Sequence, residues 1–215
     1  LVHQEKMAAL GELSSTVAHE IRNPLASIGG FARRLYRSIP DEAPEKRYTQ
    51  TIMIEVSRLE RVLSDLLDYT RKESLTFGEV DLREILEESF STVSKELNGG
   101  EVELAKEYSE GIPKVKGDHQ QLIQVFSNLF NNAYEAMKGK GTLSLRVRPV
   151  SKNSSTFVRI EIEDTGSGID PENLHNIFNP FFTTKSKGTG LGLPIVHTIV
   201  EKPGGAIQLD NREGK

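Results

Sequence analysis

The chain has 215 residues, 36% hydrophobic and 27% charged, enough for one large domain or two small ones with ordinary cores. It contains no cysteine, which excludes a disulfide framework and any thiolate metal site and fits a reducing cytosol. A net charge of −4 argues against a nucleic-acid partner, because phosphate neutralisation needs a concentrated basic surface.

No apolar run approaches the roughly 20 residues that span a bilayer, and the start lacks the basic-then-apolar form of a signal peptide. No membrane contact is expected within this stretch, and the expected location is cytoplasmic. Opening on Leu1 rather than Met, the chain is expected to be a piece of a longer protein, which leaves open whether a membrane segment stands upstream of it.

From the N-terminus, Leu10, Ser14, Val17, Ile21, Pro24, Ile28, Phe31 and Leu35 recur at alternating spacings of four and three, a heptad seam on one long helix. After a break containing Pro40 and Pro44, the same spacing returns at Ile52, Val56, Leu59, Leu63 and Leu66. Two long amphipathic helices joined by a Pro-bearing turn make a helical hairpin. A hairpin alone has a thin core, so two copies are expected to pair into a four-helix bundle, making the protein a homodimer.

The periodicity changes at Phe77 and Gly78, placing a domain boundary between 1–76 and 77–215. The second half reads as α/β: a helix from Val80 to Leu97 entered through Asp81, then a strand from Val102 to Tyr108. Asp118 followed by Gln121 forms a capping box for a helix to about Met137, with Leu122, Val125, Phe126, Leu129 and Ala133 as its buried stripe. Strands at about Thr142–Val150 and Thr156–Glu163 follow. A helix from Pro194 to about Glu201, a turn at Gly204 and Gly205, and a short strand from Ala206 to Leu209 close the chain. The expected product is a mixed sheet with helices on one face.

Two constellations carry chemistry. In the first helix the heptad register points His19 away from the seam, with Glu20 adjacent and Asn23 one turn on. A lone histidine there is ordinarily a solvated surface residue. Its neighbours change the odds: imidazole, carboxylate and carboxamide share one exposed region of a rigid helix. The His-Glu pair also opens the HExxH zinc motif, but Asn23 stands where the second histidine belongs.

In the second half, Asn128, Asn131, Asn132 and Glu135 share the helix side opposite the apolar stripe, either a solvated face or a ligand face. Asp164 continues the parity of Val158, Ile160 and Ile162, which aims its carboxylate at the buried side of the sheet. A ligand that donates a hydrogen bond would offset the cost of that burial. The GTGLGL run from Gly188 to Leu193 follows no strand, so it is not a dinucleotide fingerprint. It does set backbone amides at the start of the last helix, an anion site. No Walker A loop is present.

The stretch HEIRNPL, His19 to Leu25, with the preceding MAALGELSSTVA, resembles the phosphoacceptor box of sensor histidine kinases. NLFNNAYEA, Asn128 to Ala136, resembles their Asn box. DTGSGI, Asp164 to Ile169, and GTGLGL resemble their two Gly boxes, and IFNPFFTTK, Ile177 to Lys185, their Phe box. The resemblance implies a dimerisation and phosphotransfer hairpin followed by an α/β sandwich of the GHKL (Bergerat) ATPase fold. It implies ATP and Mg²⁺ as cofactors and a response regulator receiver domain as partner.

Residue by residue, it makes His19 the acceptor, Glu20 its base and Asn23 a residue that orients water in a phosphatase reaction. Asn132 is the Mg²⁺ ligand, with Asn128 a second contact. Asp164, Gly166 and Gly168 meet the adenine; Phe182, Lys185, Gly188, Gly190, Leu191 and Gly192 form the phosphate side and the lid. The hinge is expected at Thr70–Gly78 and the lid at Gly166–Gly190. Phe178, Phe181 and Phe182 read by themselves as packing anchors, and Lys185 as an ordinary surface lysine. Relatives often carry His where this chain has Pro203, and they continue through another strand beyond Lys215, so the second half is expected to be truncated there. Two other readings stay open: a docking scaffold or phosphatase with nucleotide as a conformational ligand, and another GHKL ATPase or serine kinase.

Overall fold

The structure is a computed structural model that describes residues 2–70, 76–96, 101–152, 155–185, 188–201 and 204–211; side chains at 2–19, 68–70, 96 and 152 lie outside the description. The chain forms two compact units. One comprises Leu1–Glu73 with Pro180–Leu191, the other Ser74–Asn179 with Gly192–Lys215.

In the first unit, α1 (Val2–Ser38) runs unbroken through Pro24 and packs along α2 (Glu45–Thr70). The faces that meet are lined by Leu25 and Ala32 of α1 and Val56 and Leu63 of α2, all buried. A Cβ at Gly29 would stand 3.1 Å from Val56 Cγ1, so the small residues of α1 let the two backbones come close. The turn is closed by Lys46, which donates to the Ile39 carbonyl at 3.2 Å and to the Asp41 carboxylate.

The anticipated seam divides between two faces. Val56 and Leu63 face α1, whereas Ile21, Ile28, Phe31, Leu35, Ile52 and Leu59 are 42–65% exposed. The reason is geometric: a helix in a two-helix hairpin covers one stripe, and Leu25, Gly29 and Ala32 occupy it here. The larger apolar residues line a second stripe. Their exposure leaves apolar side chains on the surface of the hairpin.

The second unit begins with β1 (Gly78–Val80) and α3 (Leu82–Glu96), followed by β2 (Glu101–Tyr108), β3 (Val115–Gly117) and α4 (His119–Ala136). Then come β4 (Lys140–Lys152), β5 (Ser155–Asp164), a single 3₁₀ turn (Pro171–Asn173) and α5 (Gly192–Glu201). The sheet order is β2-β4-β5, with β2 parallel and β5 antiparallel to β4; β1 and β3 form a separate antiparallel pair.

One face of the sheet, with Leu143, Leu145 and Val147 of β4 fully buried, packs with Leu82, Ile85, Leu86 and Val93 of α3, Val125, Phe126, Phe130 and Ala133 of α4 and Val196 of α5 in a single core. Phe90 and Phe130 meet edge to face at 5.8 Å. The other face is charged: Arg146 pairs with Glu163 at 3.3 Å and Arg148 with Glu161 at 2.7 Å across the β4–β5 ladder. A sheet apolar on one side and ion-paired on the other accepts helices on one side only.

Two expected elements differ. The helix expected from Val80 starts at Leu82, because Gly78–Val80 pairs with Val115–Gly117 and Asp81 Oδ1 accepts from the Arg83 amide at 2.9 Å. Ala206–Leu209 is irregular rather than a strand; no ladder partner lies beside it among the described residues. Leu97, Pro203 and residues 71–75 of the expected hinge lie outside the described residues.

Candidate functional site

On the hairpin, Glu20 and Asn23 are both exposed on α1, one turn apart. His19 belongs to the same helical backbone; its side chain lies outside the described residues. Whatever these residues do, they do it from a regular helix, which fixes their relative positions.

In the second unit the site is organised by α4. Asp118 caps this helix: its backbone is extended, and Oδ1 accepts from the Gln121 amide at 3.1 Å. The same carboxylate accepts from the Thr76 amide through Oδ2 at 2.9 Å, which ties the segment entering the unit to the start of α4. Val125, Phe126, Phe130, Ala133 and Tyr134 are buried. Asn128, Asn131 and Asn132 are half-buried, and Glu135 is exposed. Three carboxamides therefore line a helix whose opposite side is fixed in the core. A Cβ at Gly192 would lie 3.3 Å from Asn128 Oδ1, so the first residue of α5 abuts this polar face.

At the other end of α4 lies the turn after β5. Gly166 fits against the helix so closely that an added Cβ would be 2.6 Å from Ala136 Cβ, and the Ser167 amide donates to the Ala136 carbonyl at 3.3 Å. Gly168 has φ +68°, a conformation that favours glycine. Thr165 fastens the turn to β4, accepting from the Thr142 amide at 3.0 Å and donating its own amide to the Thr142 carbonyl at 3.2 Å.

Asp164 departs from the expected burial. It is exposed, and Oδ1 accepts from the Gly166 amide at 2.8 Å. Strand parity assigns a side of the sheet, but Asp164 is the last residue of its strand, beyond the cover of the core. An exposed, oriented carboxylate still offers an oxygen to a donor, without the desolvation cost that was expected. Past Gly168, the Asn211 side chain joins the Ile169 backbone twice, with Oδ1 accepting from the amide at 3.0 Å and Nδ2 donating to the carbonyl at 2.6 Å.

The remaining predicted nucleotide residues, Phe182, Lys185, Gly188, Gly190 and Leu191, belong to the segment Pro180–Leu191, which groups with the hairpin unit. This segment closes on itself. The Phe181 amide donates to the Gly190 carbonyl at 2.9 Å, Phe181 adopts φ +67°, and Gly190, at φ +70°, lies where a Cβ would be 2.4 Å from the Phe181 carbonyl carbon. Phe181 is 56% exposed, Phe182 half-buried, Lys185 exposed and Leu191 fully buried.

The loop amides expected to be open are partly committed: Gly188 N–H donates to the Lys185 carbonyl at 3.2 Å and Leu191 N–H to Thr189 Oγ1 at 3.4 Å. Thr189 in turn donates to Asp65 Oδ2 of α2 at 2.7 Å. Partial burial pushes the Asp65 carboxyl above the usual carboxylate range, against the opposing pull of that hydrogen bond and of Arg61. Phe178 packs its ring on His197 at 5.0 Å, an anchoring role.

Asn211, Asp65 and Thr189 carry no sequence signal of their own. Thr189 sits inside the GTGLGL run, but Asn211 and Asp65 belong to no motif.

Among the described residues no group of three or more His, Cys, Asp or Glu is placed to hold a metal ion. Those residues therefore build no carboxylate cage for a metal. A hard cation that keeps its waters and arrives with a polyphosphate needs few protein oxygens, and the half-buried carboxamide of Asn132 fits that donor set.

A core-covered helix of carboxamides, a glycine turn seated on its end and an oriented carboxylate define an α/β nucleotide-binding unit, here joined to a helical hairpin. Comparison with known proteins gives the family. A family model described as the His Kinase A (phospho-acceptor) domain matches residues 9–75. A second, described as the histidine kinase-, DNA gyrase B-, and HSP90-like ATPase, matches residues 117–215.

The chain is 40% identical over 212 residues to the sensor histidine kinase ZraS of Escherichia coli (strain K12), an alignment covering 99% of this chain and 45% of ZraS. Full-length ShkA in complex with AMPPNP matches with a TM-score of 0.74 and 26% identity, covering 95% of this chain and 44% of ShkA. Histidine kinase ThkA in complex with response regulator protein TrrA matches with a TM-score of 0.62 and 32% identity, covering 94% of this chain and 57% of that one. The chain belongs to the sensor histidine kinases, and its second half has their GHKL-type ATPase fold. It spans 45% of ZraS and 28–48% of the sporulation kinases C, E and A of Bacillus subtilis. Among the described residues no helix is long and apolar enough to cross a membrane.

Proposed function

We propose that this chain transfers the γ-phosphoryl group of ATP to His19 and passes it on to an aspartate of a response regulator receiver domain. The observation that carries the reading is the seating of Gly166 on Ala136. It fixes the Asp164 turn, which would accept from the amino group of adenine, to the helix that bears Asn128 and Asn132. One rigid helix then registers the base end of the nucleotide with its phosphate end.

Asn132 would hold Mg²⁺, which neutralises phosphate charge. A ring nitrogen of His19 forms the new N–P bond as the bond to the β–γ bridging oxygen breaks, ADP leaves, and Glu20 receives the proton from the other ring nitrogen. Lys185, within the lid expected at Gly166–Gly190, would meet the phosphates. The hairpin is the natural place for a second copy, because Ile21, Ile28, Phe31, Leu35, Ile52 and Leu59 form an uncovered apolar stripe that a four-helix bundle would bury. In its full length the protein would act in the cytoplasm under an upstream sensor domain.

The test is incubation with γ-labelled ATP and Mg²⁺. Label incorporated by the wild type and absent from folded Asn132→Ala supports the reading; equal label in Asn132→Ala refutes the metal role. Asn23, exposed beside His19, favours a phosphatase activity on the phosphorylated regulator as well. Asn23→Ala is then expected to keep autophosphorylation and lose regulator dephosphorylation. Equal dephosphorylation by the variant would remove that second role.

A further inference from the structure

We propose that Asn211 is a positioning residue for base recognition, an inference that rests on the nucleotide reading of the Asp164 turn. That turn needs glycine at 166 for close approach to Ala136 and at 168 for φ +68°. Such a sequence is free to wander unless it is held at both ends. Its entry is held by the Ser167 amide on the Ala136 carbonyl and by the Thr165–Thr142 exchange. Its exit is held by Asn211, which takes both the amide and the carbonyl of Ile169 from 42 residues further along the chain.

A carboxamide places a donor and an acceptor side by side, matching the N–H and C=O of one residue; a carboxylate offers two acceptors and a hydroxyl a single atom. Asn211 and Ile169 are both half-buried, so water competes weakly for these bonds. The last residues of the described chain, which touch no expected ligand, thereby set how rigidly Asp164 and Gly168 meet a purine.

Removing the clamp leaves the recognising atoms in place but makes the base pay the ordering cost. In the full chain, Asn211→Ala is expected to weaken ATP binding by roughly tenfold, the equivalent of one or two net hydrogen bonds. Weak binding of GTP, which lacks the adenine amino donor, should stay within about twofold, so the ATP preference collapses. The phosphorylation rate at saturating ATP should hardly change. Asn211→Asp, isosteric but with an acceptor facing the Ile169 carbonyl, should lose at least as much.

The measurement is calorimetric titration of wild type, Asn211→Ala and Asp164→Asn with ATP and with GTP, well below each thermal midpoint. Loss of ATP affinity in Asn211→Ala with GTP unchanged supports the clamp. Equal losses for ATP and GTP would reduce Asn211 to a general structural role and overturn it. Unchanged ATP affinity in Asn211→Ala, beside a loss in Asp164→Asn, overturns the clamp and leaves the nucleotide reading standing. Unchanged affinity in Asp164→Asn refutes the nucleotide reading at this turn, and the clamp with it.

Discussion

Gly166 and Ala136 stand so close that no side chain fits between them: a Cβ at 166 would be 2.6 Å from the Ala136 Cβ and 2.7 Å from its carbonyl carbon. Because the obstacle includes the backbone of α4, it cannot swing aside as a flexible side chain would. Gly166→Ala is expected to cost about 1–3 kcal/mol of stability by overpacking and to shift Asp164 from its hydrogen bond with the 166 amide. Thermal denaturation and ATP titration check this together. A stable variant with unchanged affinity would show that the contact does not set the site.

Asp118 serves two backbone amides, Gln121 at 3.1 Å and Thr76 at 2.9 Å. Asp118→Ala removes a helix cap and a tie to the segment entering the unit, and should cost about 1–2 kcal/mol. Asp118→Asn keeps one acceptor and should lose less. Denaturant midpoints rank the three proteins, and equal midpoints would contradict the capping role.

Asp65 makes a prediction with a sign. Burial raises its folded pKa above the unfolded value. The folded chain then holds this proton more tightly, and the contribution of Asp65 to stability is full below the unfolded value, near 3.9, and falls as pH rises through the folded one. Asp65→Asn retains an acceptor for Thr189 without the charge. It should therefore melt at a higher temperature than wild type at pH 7 to 8, with the difference shrinking as the medium is made acidic. Thr189→Val, which removes the donor, should melt lower. Melting curves across pH decide; a lower midpoint for Asp65→Asn at pH 8 would contradict the assignment.

How far the fold could be read from residues alone differs from element to element. The capping pair Asp118 and Gln121 names the start of α4 because it is local chemistry, and the apolar stripe names its buried side. The hairpin is legible as four-three spacing, but its inner face is not. Leu25, Gly29 and Ala32 include two residues too small to register as a seam, although their smallness is what admits Val56. The β1–β3 pair is three residues long and contains glycine, too short for alternation to show.

At the site, the carboxamides and glycines are legible because special backbone and ligand requirements select residue types. The exposure of Asp164 is not, since parity assigns a direction and says nothing of what lies there. Asn211 leaves no local trace at all: its partner is 42 positions away, and one asparagine near a glycine reads as a turn.

On the proposed function, His19 receives the phosphoryl group. The most direct measurement is γ-labelled ATP with Mg²⁺ on wild type and His19→Gln, followed by acid and alkali treatment of the labelled chain. The expected result is label on the wild type that is lost in acid and kept in alkali, and none on His19→Gln. Label that persists on His19→Gln, or that survives acid on the wild type, would contradict it.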